Sequence, residues 1–255
     1  MTALTNGQGA PTSASIGSTP GTRPEVDLRH LITSPLIEQG ARPLCLPFSL
    51  SHAHEAAAGV ADAVMAPEAI WWHASNLGRV SAEGMQMEHG GKALAHTGQP
   101  PLAAWPWNPL LGAGTEDPPP AAGLPPWRTA TMTSLQVAHD GIEDDLEDAL
   151  VAGEPVVLVV EVTDEFENPD ANGVIATPDI RSPTGDYHAV LVVGASSHIS
   201  SQPGPQHVPQ ATAAVPQRHL LIRNSWGEFW GVGGYGWLPV DYLIAFAGQA
   251  ALVRV

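Results

Sequence analysis

One cysteine, Cys45, stands in a chain of 255 residues. That scarcity excludes an internal disulfide framework and points to a reducing compartment, or to a thiol kept for chemistry. Cationic side chains are scarce too: ten Lys and Arg face 26 Asp and Glu, a formal net charge of −16. Phosphate backbones are bound through clustered Lys and Arg that release counterions, so nucleic acid is not an expected partner. Long apolar runs are missing as well. None approaches the roughly 18 to 20 residues that span a bilayer, so no membrane partner is expected. The start of the chain, Met1-Thr2-Ala3-Leu4-Thr5-Asn6, lacks the basic and apolar regions of a secretory signal. The expectation is a soluble, cytoplasmic protein. What is present is enough apolar material, 44% of residues, to build a full core in one large domain or in two lobes around a cleft.

Residues 1 to about 24 are rich in Gly, Ser, Thr, Pro and Ala. With almost no large apolar groups they cannot offset their own ordering entropy and are expected to form a flexible tail. A short extended segment is expected between Val26 and Ile37, and the Ala-rich run Phe48 to Met65 reads as a buried helix. Pro47 fits its first turn, where amides have no intrahelical partner. Glu68 to Asn76 and Gly91 to His96 read as further helices, before a Pro- and Trp-rich loop from Gln99 to Trp127. From Ser134 the pattern changes. Ile142, Leu146 and Leu150 recur at four-residue spacing among Glu143, Asp144, Asp145, Glu147 and Asp148, an acidic amphipathic helix. Pro155 to Val162, Tyr187 to Val193 and Arg218 to Arg223 read as strands. The polar stretch 196–217 reads as an exposed loop insertion. Helices first and strands later predict an α+β protein, with a helical lobe over about 40–130 and a β-rich lobe over about 131–255.

The residues that carry chemistry lie on separate segments. Cys45 falls at an expected helix start, where unpaired N–H groups and the macrodipole favour a thiolate. His188, in Asp186-Tyr187-His188-Ala189-Val190, precedes an apolar strand. Asn224 opens Asn224-Ser225-Trp226-Gly227, where the indole of Trp226 would shield an Asn–His hydrogen bond from water. Nucleophile, base and orienting amide are what thiol-based acyl transfer requires. Gln39, six residues before Cys45, adds a side-chain amide able to donate to a developing oxyanion. Each residue also has a plainer reading. A free cysteine is commonly a small buried hydrophobe, a strand-edge histidine is commonly structural, and an asparagine commonly makes a turn. Their occurrence together favours catalysis.

These segments resemble those of the papain-like cysteine peptidases. Gln39-Gly40 with Cys45 and Phe48-Ser49 is similar to the family's nucleophile segment. His188-Ala189-Val190 with Val193-Gly194 resembles its histidine strand, and Asn224-Ser225-Trp226-Gly227-Glu228-Phe229-Trp230-Gly231 with Gly234-Tyr235 its asparagine segment. Val26-Asp27-Leu28-Arg29 resembles the start of the mature domain, Gly90-Gly91 the substrate-binding glycine pair, and Trp105-Pro106-Trp107 the aromatic stretch after it. The resemblance runs in order from about 26 to 255. It implies a two-lobe fold, a helical left lobe and an antiparallel β-barrel-like right lobe with the active site in the cleft between them. It implies a peptide or protein substrate and no cofactor or metal. Cys45 would be the thiolate nucleophile, His188 its imidazolium partner and Asn224 the orienter. Gln39 and the Cys45 N–H would be the oxyanion donors, and Gly90, Gly91 and Trp226 would contact substrate.

The departures from the family pattern are specific. Leu46 stands where the family usually has Trp, and the disulfide cysteines are missing, as in an intracellular, bacterial-type member. Arg42-Pro43-Leu44 is bulkier than the small residues expected there, which predicts an altered wall beside the scissile residue. A tail of about 24 residues is too short to fold as an inhibitory propeptide. The stretch 196–217 lengthens the spacing from His188 to Asn224.

Other signals carry less. Gly231 to Gly236 satisfies a dinucleotide-type glycine pattern, but no helix follows and too little chain remains for a ribose-binding acid, so these are turn glycines. His52 and His54, two apart on a helix, face different ways and suit no shared metal. The acidic cluster 143–148 lacks the spacing of a calcium loop and reads as a solvated helix face. The expected function is peptide-bond hydrolysis through an acyl-enzyme on Cys45. The alternatives are acyl transfer to an amine on a dedicated biosynthetic substrate, by a transpeptidase, ligase or amidase, and a catalytically idle peptide-binding scaffold. The sequence sets no oligomeric state.

Overall fold

A computed structural model describes residues 23–59, 64–137, 141–178, 185–199 and 217–255. Positions 1–22 of the expected tail and most of the 196–217 stretch lie outside the described residues. In chain order the elements are β1 (Val26–Asp27), α1 (Cys45–Ala58), α2 (Pro67–Asn76), the hairpin β2 (Val80–Ser81) and β3 (Gly84–Met85), and α3 (Met87–His96). There follow β4 (Thr131–Leu135), α4 (Ile142–Val151), β5 (Val156–Glu161), the short α5 (Asp164–Glu167), β6 (Tyr187–Ser196), β7 (His219–Arg223), β8 (Tyr235–Pro239), α6 (Val240–Phe246) and β9 (Ala247–Arg254). Three helices lie between β1 and the remaining strands of the main sheet, close to the α+β order expected of this pattern.

Local chemistry sets the boundaries. α1 stops at Ala58 rather than running to Met65, because Gly59 takes the left-handed conformation (φ 61°) and its N–H closes on the Glu55 carbonyl. α2 begins on Pro67, whose missing N–H costs nothing in a first turn. Arg23 and Pro24, the end of the expected tail, are anchored: Arg23 pairs with Asp144 at 2.7 Å and Asp148 at 2.8 Å, and the Pro24 carbonyl accepts from Arg218 at 2.7 Å. The acidic face of α4 is accordingly not wholly solvated. Glu147 is buried and takes two N–H donors of Arg218, each at 3.0 Å.

The main sheet is antiparallel, in the order β4-β9-β5-β6-β7-β8, with β1 added to β6. Its path is open, ending at the edges β4 and β8. Side chains alternate between two cores, as strand geometry requires. Val157, Leu191 and Val193 face α1 and α3 together with Leu46, Leu50 and Leu94. Leu158, Val190 and Val192 face α4 and α6 together with Leu146, Leu150 and Leu243. β5 and β6 therefore carry apolar residues on both faces. The first turn of α1 packs against the N-terminal end of β6, and this junction holds the site.

Candidate active site

Cys45 is the first residue of α1, and the preceding Leu44 offers no side-chain cap. The N–H groups of the first turn are thus left for other acceptors. Cys45 is half-buried, and the backbone N–H groups of Ala189, Leu46 and Cys45 itself lie close enough to its sulfur to favour the thiolate. The Ala189 contact sets the sulfur beside the peptide that follows His188.

β6 and β7 pair with Leu191 opposite Arg223, which carries His188 and Asn224 to the same end of the ladder. His188 Nε2 and Asn224 Oδ1 are 2.7 Å apart. The Ser225 N–H also donates to Asn224 Oδ1, at 2.7 Å, so that atom is the amide oxygen and the His188 proton sits on Nε2. Nδ1 is left without a proton and able to accept one. Trp226 lies against the imidazole with ring centroids 4.4 Å apart, and Phe166 closes on both rings at 6.0 and 5.6 Å. These rings keep water from the Asn–His bond. Trp226 packs on His188 and is not among the walls of the cavity that Cys45 and His188 share.

Gln39 joins the two halves. Its backbone N–H donates to the Ser225 carbonyl at 2.8 Å, its Oε1 accepts from Ser225 Oγ at 2.5 Å, and its Nε2 donates to the Arg42 carbonyl at 2.9 Å. One Nε2 hydrogen stays uncommitted. Arg42 itself turns away from the site, which corrects the expectation of an altered wall. Its guanidinium is buried against Glu68, at 2.6 Å.

Cys45 and His188 share a cavity of about 360 Å³. Its other walls include Leu46, Met85, Met87 and Val159, so it is largely apolar. Gly90 and Gly91 are not among them. They lie inside α3, where a Cβ on Gly90 would come within 2.4 Å of Leu50 Cδ1 and one on Gly91 within 2.7 Å of Met132 Cε. The glycine pair thus lets α3 approach α1 and β4 closely, and Gly91 also lines a cavity between α3 and the strands β4 and β9. The residues missed in the sequence are Gly84 and Met85 of β3, Tyr187, and Gly248 and Gln249 of β9, all lining the cavity. The available signal was Gly84, whose φ of 125° suits glycine alone. Gly248 leaves room for Tyr187, whose ring would sit 3.2 Å from a Cβ there.

Burial governs the electrostatics. It pushes the Cys45 thiol above its ordinary value, against the pull of the three backbone N–H groups. It brings His188 down to about 4, against the Asn224 hydrogen bond that raises it. Each group alone therefore favours its neutral form. A charged pair arises by passing the thiol proton to Nδ1, where the two new charges compensate each other, so the two titrate as a unit.

Among the described residues no group of three or more His, Cys, Asp or Glu could hold a metal ion. His54 is tied through Nδ1 to Gln99 Oε1 at 3.0 Å, and His52 packs near the Phe48 ring. Among the described residues, too, no helix is long and apolar enough to cross a membrane.

Residues 124–242, which hold His188 and Asn224, match the papain family of cysteine proteases. Among solved structures the chain is similar to xylellain, a cysteine protease from Xylella fastidiosa, at 21% identity and a TM-score of 0.68, over 91% of this chain and 86% of that one. It is similar as well to digestive procathepsin L 3 of the Tenebrio molitor larval midgut, at 20% identity and a TM-score of 0.66, over 94% of this chain and 72% of that one. A structure bearing on the mite allergens Blo t 1 and Der p 1 matches at 20% identity and a TM-score of 0.65, over 96% and 74%. No curated protein sequence matches significantly. At these identities the structural likeness carries the fold, and the family match carries the class. The chain has the fold of these cysteine proteases, and its segment 124–242 is similar to the papain family.

Proposed function

We propose that Cys45, His188, Asn224 and Gln39 carry this peptidase activity through an acyl-enzyme. The observation that carries the reading is the 2.7 Å bond from His188 Nε2 to Asn224 Oδ1, which fixes the tautomer and frees Nδ1 for the cavity shared with Cys45. Nδ1 takes the thiol proton, and the sulfur adds to the carbonyl carbon of the scissile bond. The oxyanion receives the Cys45 N–H and the spare Nε2 hydrogen of Gln39. The C–N bond then breaks, with the imidazolium proton passing to the departing amine. Water gives a proton to Nδ1 and adds to the thioester. The C–S bond breaks, the proton returns to sulfur, and the acid product leaves.

Acyl transfer to an amine drew its support from the short tail and the Arg42-Pro43-Leu44 loop; Arg42 packs away from the cavity and the similar proteins are cysteine proteases, so hydrolysis is the reading retained. The lone cysteine and the likeness to a Xylella enzyme support a cytoplasmic, bacterial setting. The test is digestion of a peptide library by the wild type and by Cys45→Ala, with acid quenching and mass spectrometry of the intact protein. Cleavage with an acyl adduct on Cys45, both absent in the variant, is the expected result. Cleavage by Cys45→Ala at the wild-type rate would refute the assignment.

A further inference from the structure

A separate cavity of about 450 Å³ lies between α2 and α3, beside the two ends of the β2–β3 hairpin. Cationic and imidazole groups reach it from three directions: His73 from α2, Arg79 from the residue before β2, and His89 and Lys92 from α3. In a chain with ten Lys and Arg against 26 Asp and Glu, that gathering is unusual. Arg79 is exposed, and among the described residues no carboxylate lies in ion-pair contact with it. Lys92 spends one of its three ammonium hydrogens on Glu88, so two remain. Thr97 Oγ1 gives its hydrogen to the Ala93 carbonyl at 3.0 Å and therefore accepts from His73 Nδ1 at 2.7 Å, which leaves His73 Nε2 over. His89 Nδ1 is buried with no partner among the described residues, a state that folded proteins seldom leave unrelieved.

The geometry points to an anion site: this cavity binds the phosphate of a small phosphomonoester, with Arg79 as its main donor, Lys92 and the two histidines around it, and Leu77 against the organic part. A phosphomonoester carries a charge of about −1.5 to −2 on three acceptor oxygens, which donors arriving from three elements can share. A carboxylate offers one charge and two oxygens, and so satisfies fewer of them. A metal cation does not fit: Arg79 would repel it, and among the described residues no three His, Cys, Asp or Glu gather as ligands. The net charge of −16 does not forbid an anion here, because exposed charges are largely screened beyond about 8 Å at physiological salt and the adjacent cations decide. The volume falls within the roughly 300 to 1,000 Å³ of small-molecule sites, more than a bare phosphate fills. Gln86 lines both this cavity and the one at Cys45, so an occupant sits against the segment that walls the latter. The inference stands independently of the peptidase reading.

The test is calorimetric titration of the full chain with phenyl phosphate, inorganic phosphate and benzoate at equal ionic strength. Phenyl phosphate is expected to bind with a Kd below about 1 mM, and benzoate, with the same ring and a carboxylate, at least about tenfold more weakly. Arg79→Gln should weaken phenyl phosphate about tenfold or more, as loss of a charge-assisted donor does. Inorganic phosphate binding as tightly as phenyl phosphate would support the anion site and make the free ion its occupant. No measurable binding of either phosphate, benzoate binding as well as phenyl phosphate, or undiminished affinity in Arg79→Gln overturns the proposal. Should Arg79→Gln fail to fold, the imidazole NMR signals of the wild type decide: shifts at His73 and His89 on adding phenyl phosphate support the site, and unmoved signals overturn it.

Discussion

Replacing Arg42 by Met strips a buried cation from the loop that carries the nucleophile. Arg42 donates to both Glu68 oxygens, at 2.6 and 3.2 Å, and to the carbonyls of Gly112, Asn108 and Gly114 at 2.8, 2.9 and 2.8 Å. Its guanidinium lies 4.5 Å from the Trp107 ring centroid, and the two paired side chains are 0% and 1% exposed. Breaking a buried pair by removing one partner costs about 3 to 5 kcal/mol, because the other charge is stranded. In a domain of this size each kcal/mol lowers Tm by about 2 to 4 °C, so Arg42→Met should melt roughly 6 to 20 °C below wild type. Glu68→Leu should be costly for the same reason, and it also deprives Thr115 of its acceptor. The double variant Arg42→Met/Glu68→Leu removes both charges and should be less destabilised than the two single changes summed, by about 2 kcal/mol or more. Recovery stays partial, since the Gly112 and Asn108 carbonyls still lack their donor and the Gly114 carbonyl keeps only Trp71 Nε1. Thermal and urea unfolding of the four proteins measure this coupling. An Arg42→Met protein melting within about 2 °C of wild type, well under the cost of a stranded charge, or strictly additive changes, would refute the account.

Two further outcomes follow from the site and its surroundings. Burial holds His188 near 4, below its ordinary 6.5, so the unfolded chain binds more protons between those values and stability falls as pH drops from about 6.5 towards 4, by up to about 3 kcal/mol. His188→Gln should lose that part of the pH slope in urea unfolding, and an unchanged slope would mean that the ring is already charged in the folded protein. Gly90→Ala drives a methyl group against Leu50 and should destabilise by about 1 to 3 kcal/mol with KM unchanged. A raised KM at wild-type stability would instead assign Gly90 to substrate binding.

Legibility in this chain follows burial and partner distance. β5 and β6 read directly as β-branched runs because central strands face a core on both sides. β4 is an edge strand with mostly exposed positions, and β9 opens with Ala247-Gly248-Gln249, residues of low strand propensity. Both are strands because of what they pair with, each other and, for β9, β5 as well. The helical boundary at Gly59 was missed for a related reason: hydrophobicity continues past it, and one left-handed glycine overrules the pattern. In the site, Cys45, His188 and Asn224 are legible because the chemistry admits few residue types at those positions. The cavity walls admit many, and they come from β3, β5 and β9, which only tertiary pairing brings together. Gly90-Gly91 shows the converse ambiguity, since close packing of helices selects the same small residues that close approach of a substrate would.

Arg42 and Ser225 take that reasoning one step further. A bulky residue three positions before the nucleophile reads as an obstruction until Glu68, 26 residues later, is seen to draw it inward. The side chain then leaves the site while its carbonyl stays to hold Gln39 Nε2. Ser225 works from the opposite side. Its N–H fixes the oxygen of Asn224, its hydroxyl fixes the oxygen of Gln39, and its carbonyl takes the Gln39 N–H. The proposed orienter of the base and the proposed donor to the oxyanion are thereby set by one residue, so a displacement of the asparagine segment would disturb both at once. This makes Asn224-Ser225-Trp226 informative beyond its single acknowledged member: the asparagine aligns the imidazole, the serine aligns the amide across the cleft, and the indole keeps water from the bond between them.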